Sequence, residues 1–329
     1  MSTPEPQPAG LITQIDSTDG TVGITNPSGN RVNLSAQGGV NSLIGYTKAT
    51  QTALGVGAGV SITPGTDITA IGANALQANT TGHDNTAVGI DALQANTTGS
   101  ENTAIGGPAL SVNTTGNFNT AVGVNALHAN TTGDQNSALG VNALGNNNSG
   151  TVNAAVGFSA LANNTTGNSN AAMGAGALVH NTIGDNNSAV GGALTANTTG
   201  YNNSAVGSTA LQTNTTGHGN TAMGAGALAS NTTGIGNNAF GQGALQSNTV
   251  GNYVTGLGYA ADATADGAVA IGTDNTGSGA GAAAVNEIAL GTALHTTKLL
   301  GTPAFVAGDQ YLVIDVAGHI HKSGLGPLS

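Results

Sequence analysis

Two histidines close to the end of the chain, in His319-Ile320-His321, have the spacing that most suggests site chemistry. On an extended segment the side chains of i and i+2 share a face. Around the axis of a trimer, six imidazoles would then converge, a donor set suited to a transition metal. An exposed pair beside a terminus is the plainer reading of the same residues. Cysteine is absent, which removes disulfides, thiolate ligands and thiol nucleophiles. His83, His128, His180 and His218 form no cluster with carboxylates, and Asp84, Asp91, Glu101, Asp134 and Asp185 are scattered as on a solvated surface. Gly174-Ala175-Gly176 and Gly224-Ala225-Gly226 lack the strand, loop and long helix that a nucleotide site needs. Nothing in these types and spacings supports catalysis, and the chain reads as non-enzymatic with no cofactor site.

Asn-Thr-Thr triplets such as Asn79-Thr80-Thr81 and Asn96-Thr97-Thr98 match the glycosylation sequon. They recur at a fixed phase, so a structural role at a chain corner is the better reading. The Thr rows also raise an ice-binding alternative. Flat ice-binding faces place two outward Thr at i and i+2, whereas Thr80 and Thr81 are adjacent and point to opposite sides.

The elements that carry these residues follow from a repeat. A small–apolar–Gly triplet ends at Gly55, Gly72, Gly89, Gly106, Gly123, Gly140, Gly157, Gly174, Gly191, Gly207, Gly224, Gly241 and Gly258. The interval is 17 residues everywhere except between Gly191 and Gly207, where it is 16. A short fixed period sustained this long specifies a stacked, quasi-one-dimensional architecture. In the unit Asn85–Glu101, two apolar pieces, Thr86-Ala-Val-Gly89 and Ala92-Leu-Gln-Ala95, are followed by an Asn96-Thr-Thr-Gly99 corner. Seventeen residues are too few for a helix pair, so each unit is read as a coil of two short strands in a parallel β-solenoid, all-β. Coils stacked at ~4.8 Å give a rod on the order of 60 Å for thirteen units. Asn suits corners because it tolerates the left-handed region, and stacked Asn amides can bond from coil to coil. The series Asn79, Asn96, Asn113, Asn130 and Asn85, Asn102, Asn119, Asn136 are the candidate ladders.

Charge narrows the partners. The net charge is −11, and the four basic residues, Arg31, Lys48, Lys298 and Lys322, all flank the repeats. A shaft without cations cannot neutralise phosphates, which argues against nucleic acid and anionic membranes. No run reaches the ~20 apolar residues of a membrane helix. The Pro-rich start, Met1-Ser-Thr-Pro-Glu-Pro-Gln-Pro8, has neither the basic nor the apolar region of a signal peptide, so synthesis in the cytoplasm is expected.

The core is the weak point. Each coil offers about two large apolar side chains, contributing ~1.5–3 kcal/mol apiece, against an ordering cost of ~1–2 kcal/mol per residue. A single rod this thin is marginal. Ala and Gly beside each Val slot allow close approach of a second backbone, so a parallel homotrimer with a shared core is expected. The sequence leaves open which strand face points inward.

The unit Asn-Thr-Ala-Val-Gly-x-x-Ala-Leu, with the shorter Asp266-Gly-Ala-Val-Ala-Ile-Gly272 and Asn286-Glu-Ile-Ala-Leu-Gly291, resembles the head repeats of trimeric autotransporter (YadA-like) adhesins. That resemblance covers about three quarters of the chain and implies a left-handed β-roll, three side by side. Unlike that family, the chain shows no signal peptide, coiled-coil stalk or membrane-anchor barrel. Its repeats are also similar to those in tail fibres of phages and contractile injection particles, some of which carry His-x-His metal sites. The ending Tyr311–Ser329 resembles the stretch before the cleavage point of an endosialidase-type intramolecular chaperone, which would make Ser329 a matured C-terminus.

The expected organisation is an attachment or cap segment over 1–45 with short strands, a β-roll shaft of about 13–15 coils over 46–295, and a β tail over 296–329. The expected function is a structural fibre of an extracellular virion or injection particle. Its partners would be two further copies, a baseplate or other particle protein, and a cell-surface receptor or glycan. A cell-surface adhesin or filament of the same fold is the alternative.

Overall fold

The computed structural model describes residues 51–62 and 67–272 in full, and beyond them only six short strands. Among the described residues there is no helix. One strand of three or four residues opens nearly every coil: Gln51–Leu54, Ile68–Ile71, Asn85–Val88, Thr103–Ile105, and so on to Thr255–Leu257 and Val269–Ile271. Each pairs in parallel with the strand one coil on, as Thr86 with Thr103, Ala87 with Ala104 and Val88 with Ile105. The chain is therefore a parallel β-solenoid of about 13 coils, as the period requires. Leu43–Lys48 caps the stack by pairing antiparallel with Gln51–Leu54. Two units separate, Met1–Thr292 and Ala293–Ser329, the second containing an antiparallel pair, Leu312–Ile314 with Ile320–Lys322.

The second apolar piece of each coil is not a strand. Ala92–Gln94 lies in a turn, and Leu93 adopts φ 50. The same left-handed conformation recurs from Leu76 (φ 49) through Leu245 (φ 52). An L residue pays about 1–2 kcal/mol there, so its surroundings must hold it. They do so from two directions. Leu93 N–H donates to Ala109 O at 3.0 Å in the next coil, while Asn96 N–H donates back to Leu93 O at 3.2 Å. The chain curves and stays laddered at once, which an extended second strand could not achieve within seventeen residues.

The interior is thinner than two large side chains per coil. Ala87, Ala92 and Leu93 are fully buried, flanked by Asn85 and Asn96, which are equally enclosed. On the strand, Asn85 and Ala87 point inward, so Thr86 and Val88 point out. The slot filled by Leu54, Ile71, Val88, Ile105, Val122 and their successors thus faces outward throughout; Leu139 is 52% and Met173 58% exposed. With one Leu already spanning the coil, only Ala fits on the opposing wall.

Glycine at the marker position is required twice over. Gly106 has φ 127, and a Cβ there would lie 2.7 Å from Gly123 O in the next coil. The 16-residue coil keeps this stacking. Its strands remain in register, Ala189 on Ala205, and the missing residue is taken from the outward turn at Gly191-Gly192-Ala193, where Gly191 relaxes to φ 83.

Candidate functional surfaces

Both predicted Asn series form continuous ladders. Asn96 Nδ2 donates to Asn79 Oδ1 at 2.7 Å and to Gly99 O at 2.8 Å, and Asn113, Asn130, Asn147, Asn164, Asn181, Asn197, Asn214 and Asn231 continue the pattern. In the second series Asn102 N–H donates to Asn85 Oδ1 at 2.9 Å and Asn102 Nδ2 to Gly116 O at 2.8 Å. The first ladder crosses the 16-residue coil, Asn197 Nδ2 donating to Asn181 Oδ1 at 2.8 Å, and stops at Asn231. Asn248 turns to its own corner, accepting from Gly251 N–H at 2.9 Å, and Asn231 Oδ1 is left as the one buried side-chain acceptor without a partner among the described residues. Val254 then occupies the slot of the second ladder.

This geometry answers the sequon question. The Asn of each described Asn-Thr-Thr triplet is fully buried with its amide engaged, so in the folded coil these triplets offer no acceptor for a glycan. The first Thr is also spoken for: Thr97 Oγ1 donates to Thr114 O at 3.0 Å, and Thr97 O collects N–H donors from Thr80, Thr81 and Gly82. On the strand face the outward pair is Thr86 with Val88, so the two outward positions there are not both Thr.

Of the scattered titratable residues, two sequence neighbours meet as a pair. His83 Nδ1 lies 2.9 Å from Asp84 Oδ2, both exposed, and His128 Nδ1 lies 2.8 Å from Ser111 Oγ. Among the described residues no three His, Cys, Asp or Glu side chains gather where a metal ion could be held. The backbone of His321 belongs to Ile320–Lys322 and pairs with Val313, but its side chain and all of His319 lie outside the described residues.

Two surfaces stand out instead. The first is the outward apolar row, unbroken in every described coil from Leu54 to Ile271 and bordered on the strand by small residues such as Thr120, Ser137, Ala154 and Ala171. Apolar patches of that continuity mark contact surfaces. The sequence displays the row in the periodicity; its outward direction is what sequence reasoning missed.

The second surface is aromatic. Every described ring, Phe118, Phe158, Tyr201, Phe240, Tyr253 and Tyr259, is exposed, because the coil interior has no room for one. Tyr201 and His218 stack from successive coils with centroids 4.4 Å apart and planes 14° from parallel. Tyr259 closes one side of a groove of about 290 Å³ that crosses four coils and is lined by Thr209, Gly226, Gln242, Gly243 and Gln246.

No protein-family model, no curated protein and no solved structure matches the chain, so its fold and these two surfaces are what any functional reading stands on.

Proposed function

We propose that the chain is the shaft of a homotrimeric fibre, built from left-handed β-rolls, on a phage-like tail or contractile injection particle. The observation that carries this reading is the outward row from Leu54 to Ile271. Its side chains repeat at the coil spacing, so another copy of the same rod, lying parallel, meets it with matching period over the whole length. A partner without that period would match at few points. Three rods arranged around an axis would each cover the row, giving the large apolar side chains the burial that one coil denies them. The small Thr, Ser and Ala residues beside the row leave space for a neighbouring backbone.

The resemblance of the repeats to adhesin heads and tail fibres supports the same arrangement. In this reading the segment 1–45 docks to the particle, a baseplate component being the natural partner, and the exposed turns meet a target cell surface. A cell-surface adhesin built on the same trimer differs only in what holds the fibre.

Sedimentation equilibrium of the purified chain tests the proposal. Three chain masses are expected, and a monomer at micromolar concentration overturns it.

A further inference from the structure

We infer that the groove walled by Tyr259 is a binding site for a short neutral saccharide. The inference deepens the attachment half of the proposed function, but it rests on the coil stack and not on trimer formation.

The groove exists because of a local change in one outward turn position. In earlier coils that position holds Asn74, Asp91, Asn125 and Asn142 at φ between 57 and 59. Their side chains fill the surface, and Asn74 Nδ2 donates to Asp91 Oδ1 at 3.0 Å. At the same position Gly226 and Gly243 keep the left-handed backbone, φ 71 and 67, but carry no side chain. A Cβ at Gly226 would meet nothing nearer than 4.0 Å. Two successive missing side chains open a trough along the stack, and Tyr259, 53% exposed, stands at its end.

The polar lining is free to bind. Gln77 and Gln94, one coil apart, use their amides on each other at 3.4 Å. Gln242 and Gln246 have no such partner: among the described residues neither amide, nor the Thr209 hydroxyl, makes a hydrogen bond. The site therefore offers an aromatic face, two amides that both donate and accept, and a hydroxyl. That is the complement of a sugar, whose hydroxyls need bidentate donor–acceptor partners and whose C–H face packs on a ring. The volume matches the lower end of ligand clefts, ~300 Å³. A run of four coils, about 14 Å at the strand spacing, suits an oligosaccharide better than a single ring. Neutrality follows from the charge pattern: with no Lys or Arg between residues 49 and 297, nothing in the shaft neutralises a carboxylate or sulfate sugar.

The test is calorimetric titration of the full chain with chitotriose, cellotriose and maltotriose, and with sialyllactose as the acidic control. At least one neutral trisaccharide should bind with millimolar or tighter affinity. Tyr259→Ala and Gly226→Asn should each weaken that binding at least about tenfold, or ~1.4 kcal/mol. Gly226→Asn installs the residue that Asn125 and Asn142 carry at the same backbone conformation, so it fills the trough without breaking the coil. Gln77→Ala, outside the groove, should leave binding unchanged. Absence of binding by all three neutral sugars, preference for sialyllactose, or binding that survives either groove variant overturns the inference. Solution mass is read on the same samples, so loss of the trimer and loss of sugar binding are separate results.

Discussion

Asn130 Nδ2 donates to Asn113 Oδ1 at 2.9 Å across one coil step, inside a wall where both residues are fully buried. Each such amide has two duties. It closes its own corner, as Asn130 does on Gly133 O at 3.0 Å, and it joins the neighbouring coil. A ladder of this kind removes the cost of burying amides, because donor and acceptor both stay satisfied.

Asn130→Ala should therefore hurt more than one missing bond suggests. It leaves the buried Asn113 Oδ1 without its donor and takes from the Asn147 amide one of its two acceptors, Gly150 O remaining. We expect a loss of about 1–3 kcal/mol, read as a lower urea midpoint. An unchanged midpoint would show that water reaches the ladder.

The marker glycines give a paired test. Gly106→Ala combines a left-handed φ with a Cβ at 2.7 Å from Gly123 O, and should cost more than the ~1–3 kcal/mol of backbone strain alone. Gly192→Ala, in the 16-residue coil, has nothing within 4 Å and no positive φ, and should change stability by under about 0.5 kcal/mol. Thermal unfolding of both variants checks the contrast.

The strand and turn positions should separate folding from association. Leu127→Ala removes a fully buried side chain and should cost about 2–5 kcal/mol. Val122→Asp changes an outward position, so its sheet signal in circular dichroism should persist while the proposed trimer is lost. A Val122→Asp chain that stays trimeric would place the contact on another face.

Ice binding makes its own demand, two outward Thr at alternate positions. The strand offers Thr86 with Val88, and further along Ala154 with Val156. No inhibition of ice recrystallisation is expected at micromolar concentration, and clear activity would reassign the strand face.

The period of the marker glycines, read from the residues alone, determined the stacked parallel strands, and the phase of Asn79 and Asn85 determined both ladders. These were legible because a solenoid copies each local choice at every coil, so a residue's neighbour in space is its own equivalent in sequence. The cross-section was not legible. Val88 and Leu93 are both large and apolar at fixed phase, and neither alternation nor composition says which one the coil encloses. Tertiary structure decided it: a seventeen-residue circuit that carries Asn at two corners has width for one Leu, so Leu93 goes in, at a backbone conformation its side chain would not choose, and Val88 goes out. The groove was hidden for a related reason. Gly226 and Gly243 look like any other glycines until the stack sets them beside Tyr259, Gln242 and Gln246.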